Sequence, residues 1–507
     1  MKSLSLQGRL GDILSLIAGG LLPLAFAPLS LFPLAVLLPA LLFLLWQNIS
    51  PKRAFWRGLL FGIGLFGIGV SWVYVSFHQF GGIPMIGAIF MTAGFVLALA
   101  LYPALLGWLL TRFFPNNTLS KIVLVLPAAW TLTEWLRGWL FTGFPWLNLG
   151  YSQIDSPLNG FAPLLGVYGV SWMTVFTASL LVYLFNFKKL IILPMVIIIW
   201  GSGWFLSGVS WTQPVNKPLD IALIQGNVPQ EYKWLSSFQI PSMQRYLQLS
   251  QAHRDADIII WPETAVPLFY SDVLTYAPGF LEQLTAEHTT YNTDFLIGIP
   301  ILLEDGKTYF NSVTSIGTQS GAYYKHHLVP FGEYIPFQSF FGNLLKLLDV
   351  PMSAFSPGAV QQPNLHSMGE PIGVSICYED VFGELVRNSL PTATLLVNVS
   401  NDAWFGDSIA PHQHLEIARM RALESGRYLL RATNTGISAV IDVKGKITAQ
   451  APQFKITTLR AKAQPYQGVT PYIHFGNSLV MILLLLCMLG GVIKSTCFFS
   501  FLGAKAI

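Results

Sequence analysis

Three polar side chains in the second half of the chain could form a nucleophilic site: Cys377, Glu263 and Lys325. A thiol reacts mainly as its thiolate, and a nearby carboxylate can take its proton as a general base. A lysine ammonium favours the thiolate and can stabilise the oxyanion of a tetrahedral intermediate. The three side chains therefore make a complete set for covalent catalysis. Each also has an ordinary structural alternative: a small buried hydrophobe, a loop carboxylate and a solvated surface charge.

The strand that ends at Cys377 is the clearest of the elements that must position these groups. Ile372–Ile376 is apolar and β-branched, which is typical of a buried strand. Chemistry in an open α/β sheet usually lies just outside the carboxyl ends of its strands. A helix is predicted at Gln413–Leu430 and a hairpin turn after Val440–Val443. Further strands are predicted at Leu219–Ile224, Ala256–Ile260, Phe295–Ile299, Ser312–Ile316 and Leu395–Val399.

The composition indicates a membrane protein. Of 507 residues, 53% are hydrophobic and 11% are charged, whereas soluble domains average about 25% charged residues. A membrane helix needs about 20 mostly apolar residues. We predict eight of them, at 11–29, 31–48, 55–77, 85–111, 121–137, 161–186, 190–208 and 475–494. Residues 1–210 then hold helices 1–7, residues 211–472 an α/β catalytic domain, and residues 473–507 helix 8 and a tail.

Lysine and arginine residues predict the orientation of these helices. They cluster on one side of the eight-helix arrangement, and the opposite short loops hold only Arg137. The positive-inside rule places both termini in the cytoplasm and residues 212–472 on the outer side. Ala25 and Ala27 have the spacing of a signal-peptide cleavage site, but Pro28 follows directly, so we predict a retained first helix.

The cysteine count supports a reactive thiol. The chain has three cysteines, and Cys487 and Cys497 lie in or after the last predicted membrane helix. Cys377 is therefore the only cysteine in the predicted outer domain, where disulfides would be favoured. A thiol without a partner there suits a nucleophile better than a disulfide.

Several motifs resemble the carbon-nitrogen hydrolase (nitrilase) superfamily. They are WPET at 261–264, YxKxHLVPFGEY at 323–334, CYE at 377–379 and SNDAWF at 400–405. Together with eight membrane helices and FPWLNLGYSQ at 144–153, they are similar to the family of apolipoprotein N-acyltransferases. The resemblance implies an αββα sandwich for the outer domain beside an α-helical membrane bundle.

The same resemblance implies roles for individual residues. Glu263 would be the general base, Lys325 the oxyanion stabiliser and Cys377 the nucleophile that carries an acyl group as a thioester. The acyl donor would be a phospholipid, and the acceptor the N-terminal amine of a diacylated apolipoprotein. Supporting or substrate-binding positions of the family match Glu333, Tyr378, Glu379, Trp234, Asn311 and Trp146.

Two segments have open interpretations. The aromatic loop at 138–160 is either an interfacial aromatic belt or a lipid-facing lip of the site. A mobile apolar arm is predicted within 337–356, because water must be kept from a thioester.

Other functions remain as alternatives. One is a membrane-tethered amidase or nitrilase, although a tether needs one helix rather than eight. Another is a transporter or scaffold with an inactive outer domain. The pattern predicts no metal, no cofactor and no nucleic-acid partner, and it favours a monomer. Four arginines are expected as solvated or ion-paired charges on a helix and its exit: Arg419, Arg421, Arg427 and Arg431.

Overall fold

The computed structural model describes residues 8–188, 190, 192–334 and 354–503, with side chains up to residue 493. It divides into two compact units. The first consists of Met1–Tyr74, Ile89–Val209 and Phe475–Ile507, and the second of Val75–Ala88 and Ser210–His474. The predicted arm at 337–356 falls, up to residue 353, outside the described residues.

The first unit is built from apolar helices, and one of them overlaps each of the eight predicted ranges. Their bounds are Arg9–Leu21, Leu34–Leu45, Pro51–Gly69, Met85–Phe113, Leu126–Arg137, Ala162–Phe187, Ile192–Ser207 and Ser478–Gly503.

Membrane-spanning length is reached by fewer of these helices than predicted. Among the described residues, two helices are long and apolar enough to cross a membrane, Met85–Phe113 and Pro157–Phe187. A third span is possible if two helices separated by a bend of 61° are counted as one, Pro51–Gly69 and Val73–Phe80. Leu34–Leu45 has 12 residues and rises only about 18 Å, against a hydrocarbon core of about 30 Å. The structure supports an apolar helical unit, and the count of eight spans is not confirmed.

The second unit is formed around two six-stranded sheets. One sheet has the order β15-β2-β3-β4-β7-β8, the other β14-β13-β12-β11-β10-β9, and β1–β16 and β5–β6 form separate pairs. The strands are β1 Thr212–Pro214, β2 Leu219–Gln225, β3 Ile258–Ile260, β4 Asp294–Gly298, β5 Ile301–Leu302, β6 Tyr309–Phe310, β7 Ser312–Ile316, β8 Gly321–Tyr324, β9 Leu365–Ser367, β10 Glu370–Ile376, β11 Leu395–Ser400, β12 Tyr428–Thr433, β13 Ala439–Ile441, β14 Ile447–Gln450, β15 Thr457–Ala463 and β16 Tyr466–Gly468.

Helices cover the outer faces of both sheets. Their bounds are Gln230–Lys233, Ser236–Gln251, Tyr270–Tyr276, Phe280–Tyr291, Gly383–Arg387, Ala410–Ser425 and Pro471–Phe475. Side chains alternate along each strand, so Ile221 and Leu223 of β2 pack between the sheets, whereas Ala222 and Ile224 pack against the helices. The result is the predicted αββα sandwich, with one apolar layer between the sheets and one under each helical layer.

The central strands of both sheets are parallel. β2, β3 and β4 run in one direction in the first sheet, as do β10, β11 and β12 in the second. Segments that follow β3, β10 and β11 carry Glu263, Cys377 and Asn401, and the backbone N–H of Asn401 donates to Glu263 across the two sheets at 2.9 Å. The carboxyl ends of the two sheets therefore meet at these residues.

One predicted element was wrong in its extent. The helix predicted at Gln413–Leu430 is observed at Ala410–Ser425 and ends at Gly426, whose φ is +61°. Glycine adopts this left-handed conformation without steric penalty, which allows the chain to turn. The residues that follow form β12, which pairs in parallel with β11.

Candidate active site

Cys377 begins a sharp turn at the end of β10. Its φ is +53°, a left-handed value that costs a residue with a side chain about 1–3 kcal/mol and is found mainly at functional sites. Asn398 on β11 donates to the Cys377 carbonyl at 3.2 Å, and the hydroxyl of Ser400 is hydrogen-bonded to the Cys377 side chain. Only 8% of Cys377 is exposed. The turn therefore presents a buried thiol held by the neighbouring strand.

Glu263 reaches the same place from the other sheet. It follows β3 through Trp261 and Pro262, and it is buried. Gly298 on β4 lies so close to this turn that a side chain there would collide with the Pro262 carbonyl. One oxygen of the Glu263 carboxylate accepts the Asn401 N–H, and the other accepts the side-chain amide of Asn311 at 2.7 Å. These contacts fix both carboxylate oxygens.

Lys325 lies between two carboxylates directly after β8. Its Nζ atom is 3.3 Å from Oε1 of Glu263 and 2.9 Å from Oε1 of Glu333. The amide of Asn311 donates to the same Glu333 oxygen at 3.0 Å, and the backbone N–H of Val329 donates to Oε2 at 2.8 Å. Lys325, Glu263, Glu333 and Asn311 therefore form one connected buried network.

The charges in this network set the protonation states. Burial raises the pKa of the Cys377 thiol well above its usual value, Glu263 raises it further, and Lys325 opposes the increase. Burial also tends to raise the pKa of Glu263, but the positive charges of Lys325 and Lys233 outweigh it, so this pKa lies below its ordinary value. Burial tends to lower the pKa of Lys325, yet Glu263 and Glu333 raise it overall. The resting site accordingly holds a thiol, a carboxylate and an ammonium.

Glu379 braces the turn that carries Cys377. Its carboxylate accepts backbone N–H groups of Ile376 at 2.7 Å, His326 at 2.7 Å and His327 at 3.1 Å, and the hydroxyl of Tyr323 at 3.1 Å. These contacts tie the end of β10 to the segment that contains Lys325. Burial raises the pKa of Glu379 to about 7 against the opposing effect of the backbone donors.

A fully buried charged cluster acts electrostatically on Cys377 and contains one of the four arginines expected to be solvated or ion-paired. Arg431 is on β12, and it pairs with Asp402 at 2.9 Å and Asp380 at 3.1 Å. His414 contacts the same two carboxylates at 3.0 and 2.8 Å. Arg421 and Arg427 are also buried. The ion-paired alternative is therefore confirmed for Arg431 and for Arg421, which pairs with Glu424 at 2.9 Å. Arg427 is neither solvated nor paired with a described carboxylate, because it donates to backbone carbonyls such as that of Ala393.

Lys233 is a site residue that the sequence interpretation missed. It ends a short helix, is 3% exposed, and donates to the backbone carbonyl of Glu263 at 3.1 Å and to the hydroxyl of Thr264. Burial lowers its pKa to about 8, and Glu263 and Cys377 oppose that shift. The only signal in the sequence that could have identified Lys233 is its position next to Trp234 in the segment EYKW.

The remaining predicted residues have different surroundings. Tyr378 is buried, with its ring centroid 5.2 Å from Phe382 and 6.0 Å from His327. Trp234 is half-buried and adjoins Lys233. Trp146 belongs to the first unit, where it is fully buried beside Trp72 at a ring separation of 5.2 Å.

The loop at 138–160 fits neither of its two interpretations as a whole. Trp139 and Phe141 are exposed, whereas most of the loop from Gly143 to Ile154 is buried inside the first unit. Arg137 holds this part by donating to the carbonyl of Phe144 at 2.8 Å, to that of Trp146, and to Asn148 at 2.7 Å. The nearby carboxylate of Glu134 accepts the N–H of Leu149 at 3.0 Å.

Within the part of the chain that the structure describes, no group of three or more His, Cys, Asp or Glu side chains is arranged to hold a metal ion.

The fold and the site define the class of the second unit. It has two stacked sheets with outer helices, and a cysteine, a glutamate and a lysine lie where the strands end. The sequence profile of the carbon-nitrogen hydrolase family matches residues 220–468. A match to the structure of XC1258 from Xanthomonas campestris, a CN-hydrolase superfamily protein, covers 53% of this chain and 97% of that one, with 17% identity and a TM-score of 0.37.

Comparisons over the whole chain identify the family. The profile of the apolipoprotein N-acyltransferase N-terminal domain matches residues 18–180. An apolipoprotein N-acyltransferase from Methylococcus capsulatus is 46% identical over 469 residues, 92% of each chain. One from Pseudomonas aeruginosa is 41% identical over 503 residues, 97% of this chain and 98% of its own. The chain belongs to the apolipoprotein N-acyltransferase family.

Proposed function

We propose that this protein transfers an acyl chain from a phospholipid to the N-terminal amine of a diacylglyceryl-cysteine lipoprotein, the last step of lipoprotein maturation. The observation that carries the proposal is the ion pair between Glu263 and Lys325, whose charged atoms are 3.3 Å apart. Both charges act electrostatically on the Cys377 thiol, where the carboxyl ends of strands from the two sheets come together. Family membership supports the same reaction.

In the first half-reaction, Cys377 attacks the ester carbonyl of the phospholipid. Glu263 accepts the thiol proton as the carbon–sulfur bond forms, because the raised pKa of Cys377 keeps the free thiol protonated. Lys325 stabilises the oxyanion of the tetrahedral intermediate. The ester carbon–oxygen bond then breaks, Glu263 returns the proton to the departing alkoxide, and lysophospholipid leaves a thioester on Cys377.

In the second half-reaction, the neutral amine of the lipoprotein attacks the thioester. A second tetrahedral intermediate forms with its oxyanion at Lys325, and Glu263 takes the proton that the nitrogen loses. The carbon–sulfur bond breaks, the amide product leaves, and Glu263 returns the proton to the Cys377 thiolate. The order is ping-pong because one thiol serves both substrates in turn.

We further propose that the enzyme lies in a bacterial cytoplasmic membrane with eight spans and acts as a monomer. The two termini would be cytoplasmic and the second unit would be on the outer face, as the distribution of Lys and Arg indicates. Reporter fusions after residues 188 and 300 test this topology: the first should report the cytoplasm and the second the outer side.

The reaction is tested with purified protein, a phospholipid and a synthetic diacylglyceryl-cysteine peptide with a free amine. We expect the peptide to gain one acyl mass with wild-type protein and none with Cys377→Ala. Hydrolysis of small amides without peptide acylation would favour the tethered amidase instead. Equal acylation by Cys377→Ala would refute the role of this thiol.

A further inference from the structure

Lys233 is an unusual residue to find buried beside the candidate site. Its ammonium contacts two neutral acceptors, the carbonyl of Glu263 and the hydroxyl of Thr264, and no carboxylate within ion-pair distance is found among the described residues. A buried charge normally lowers stability unless it is paired, and an apolar side chain of similar length would fill the same space. Packing alone therefore gives no reason for a lysine here.

The contacts of Lys233 point to the turn that carries the base. Thr264 has a φ of +46°, which is strained for a β-branched residue. Lys233 donates to the backbone carbonyl of Glu263 and to the side chain of the strained Thr264. Its ammonium thereby holds the segment in the conformation that directs the Glu263 carboxylate toward Lys325.

The charge of Lys233 acts on the same groups. Its electrostatic partners are Glu263 and Cys377, and its positive charge favours the ionised form of each. We propose that Lys233 is a positioning residue that fixes the Glu263–Thr264 turn and supplies a second cation, beside Lys325, that favours the Glu263 carboxylate and the Cys377 thiolate. This inference rests on the proposed roles of Glu263 and Cys377.

The pH range in which this cation acts follows from its surroundings. Burial lowers the pKa of Lys233 to about 8, so the ammonium is mostly charged at neutral pH and is lost above that value. Other charged groups face the site: Glu263, Lys325, Asp402 and Arg431 act on Cys377, and Glu333 and Glu379 act on Lys325. None of these residues is replaced in a Lys233 variant, and a comparison of Lys233→Gln with Lys233→Met separates loss of the charge from loss of the hydrogen-bond donor.

The test measures alkylation of Cys377 by neutral iodoacetamide in full-length protein in detergent, from pH 6 to 10, by peptide mass spectrometry. Lys233→Gln retains an amide donor without charge, and Lys233→Met removes both. Lys217→Met, at an exposed lysine, is the matched control, and Cys487 is an internal control in every sample. Thermal unfolding checks that each variant is folded.

We expect both Lys233 variants to alkylate at Cys377 about tenfold more slowly than Lys217→Met at pH 7, equivalent to one pKa unit. The ratio of the Lys217→Met alkylation rate to the rate of either Lys233 variant should fall toward one above about pH 8, where the unsubstituted Lys233 loses its charge. Lys233→Arg, which keeps its charge at high pH, should alkylate faster than wild-type protein at pH 9. A ratio that is one throughout, or that is constant with pH, would overturn the proposal. Because alkylation needs no acyl donor, this result is independent of whether acyl transfer is observed.

Discussion

The ammonium nitrogen of Lys325 lies 3.3 Å from Oε1 of Glu263, and both groups are buried. Each stabilises the charged form of the other, so the Glu263 carboxylate remains ionised in an interior that would otherwise protonate it. An ionised Glu263 is what its proposed role as general base requires.

Replacement of Lys325 by methionine should remove both the ion pair and the oxyanion contact. Loss of one oxyanion donor typically lowers kcat by about 100- to 1,000-fold, and breaking a buried pair destabilises a protein by about 3–5 kcal/mol. Steady-state acylation kinetics and thermal unfolding measure the two effects. Glu333→Gln is the comparison, because it leaves the Lys325–Glu263 pair intact and should lower activity by much less. Wild-type activity in Lys325→Met would contradict the assigned role.

Substitution of Asp402 by asparagine should destabilise the protein at neutral pH. It leaves Arg431 and His414, both fully buried, with Asp380 as their remaining carboxylate, and we expect a loss of about 3–5 kcal/mol. The surface pair of Asp255 with Arg460 is the control, because 78% of the Asp255 side chain is exposed and Asp255→Asn should cost at most about 1 kcal/mol.

The effect of Asp402→Asn should also depend on pH. The contacts with Arg431 and His414 hold the pKa of Asp402 below its ordinary value of 3.8. A carboxyl with a lowered pKa stabilises the folded state above the unfolded-state pKa, and this contribution is lost as the pH falls through the folded-state pKa. The stability difference between wild type and variant should therefore shrink below about pH 4. A difference that grows on acidification would refute this explanation.

Glu379→Gln should loosen the turn at Cys377. One carboxylate oxygen becomes an NH₂ group that faces a backbone donor, so we expect a loss of about 1–3 kcal/mol. Burial raises the pKa of Glu379 to about 7 in the folded state. When folding raises the pKa of an acid, the protein loses stability as the pH rises from the unfolded-state pKa toward the folded-state pKa. Denaturant unfolding at pH 5 and 7 should thus show a smaller penalty for the variant at pH 7. The exposed Glu282→Gln should show no such change.

Arg137→Lys should release the buried loop of the first unit. A lysine cannot supply the two nitrogens with which Arg137 contacts the carbonyl of Phe144 and the side chain of Asn148. Hydrogen exchange of backbone amides at 143–149 should become faster, while Arg112→Lys, at an exposed position, should leave it unchanged. Equal protection in both variants would show that Arg137 does not hold the loop.

Sequence patterns predicted the strands that flank the site, because runs such as Ile372–Ile376 place β-branched side chains at alternate positions and are directly followed by a reactive residue type. They also singled out Glu263, Lys325 and Cys377, whose catalytic roles remain proposals. The approach of the two sheets that joins them depends on tertiary packing between β3, β8 and β10, which no local pattern encodes.

Other features could not be predicted for physical reasons. Lys233 and Arg431 are charged residues that would ordinarily be solvated, and only their tertiary acceptors keep them buried. The predicted helix ran through Gly426 because its apolar periodicity continues into β12, although a glycine at that point allows the chain to leave the helix. Apolar composition alone also does not fix the number of membrane spans, since a 12-residue helix such as Leu34–Leu45 is as hydrophobic as a longer one.

The most direct measurement of the central claim is the intact mass of the protein after incubation with phospholipid and no acceptor. Wild-type protein should gain the mass of one fatty acid minus one water, located at Cys377 and removed by hydroxylamine as expected for a thioester. Addition of the diacylglyceryl-cysteine peptide should discharge the adduct. Cys377→Ala should gain nothing. An adduct on another residue, or acylation of the peptide by Cys377→Ala, would contradict the account.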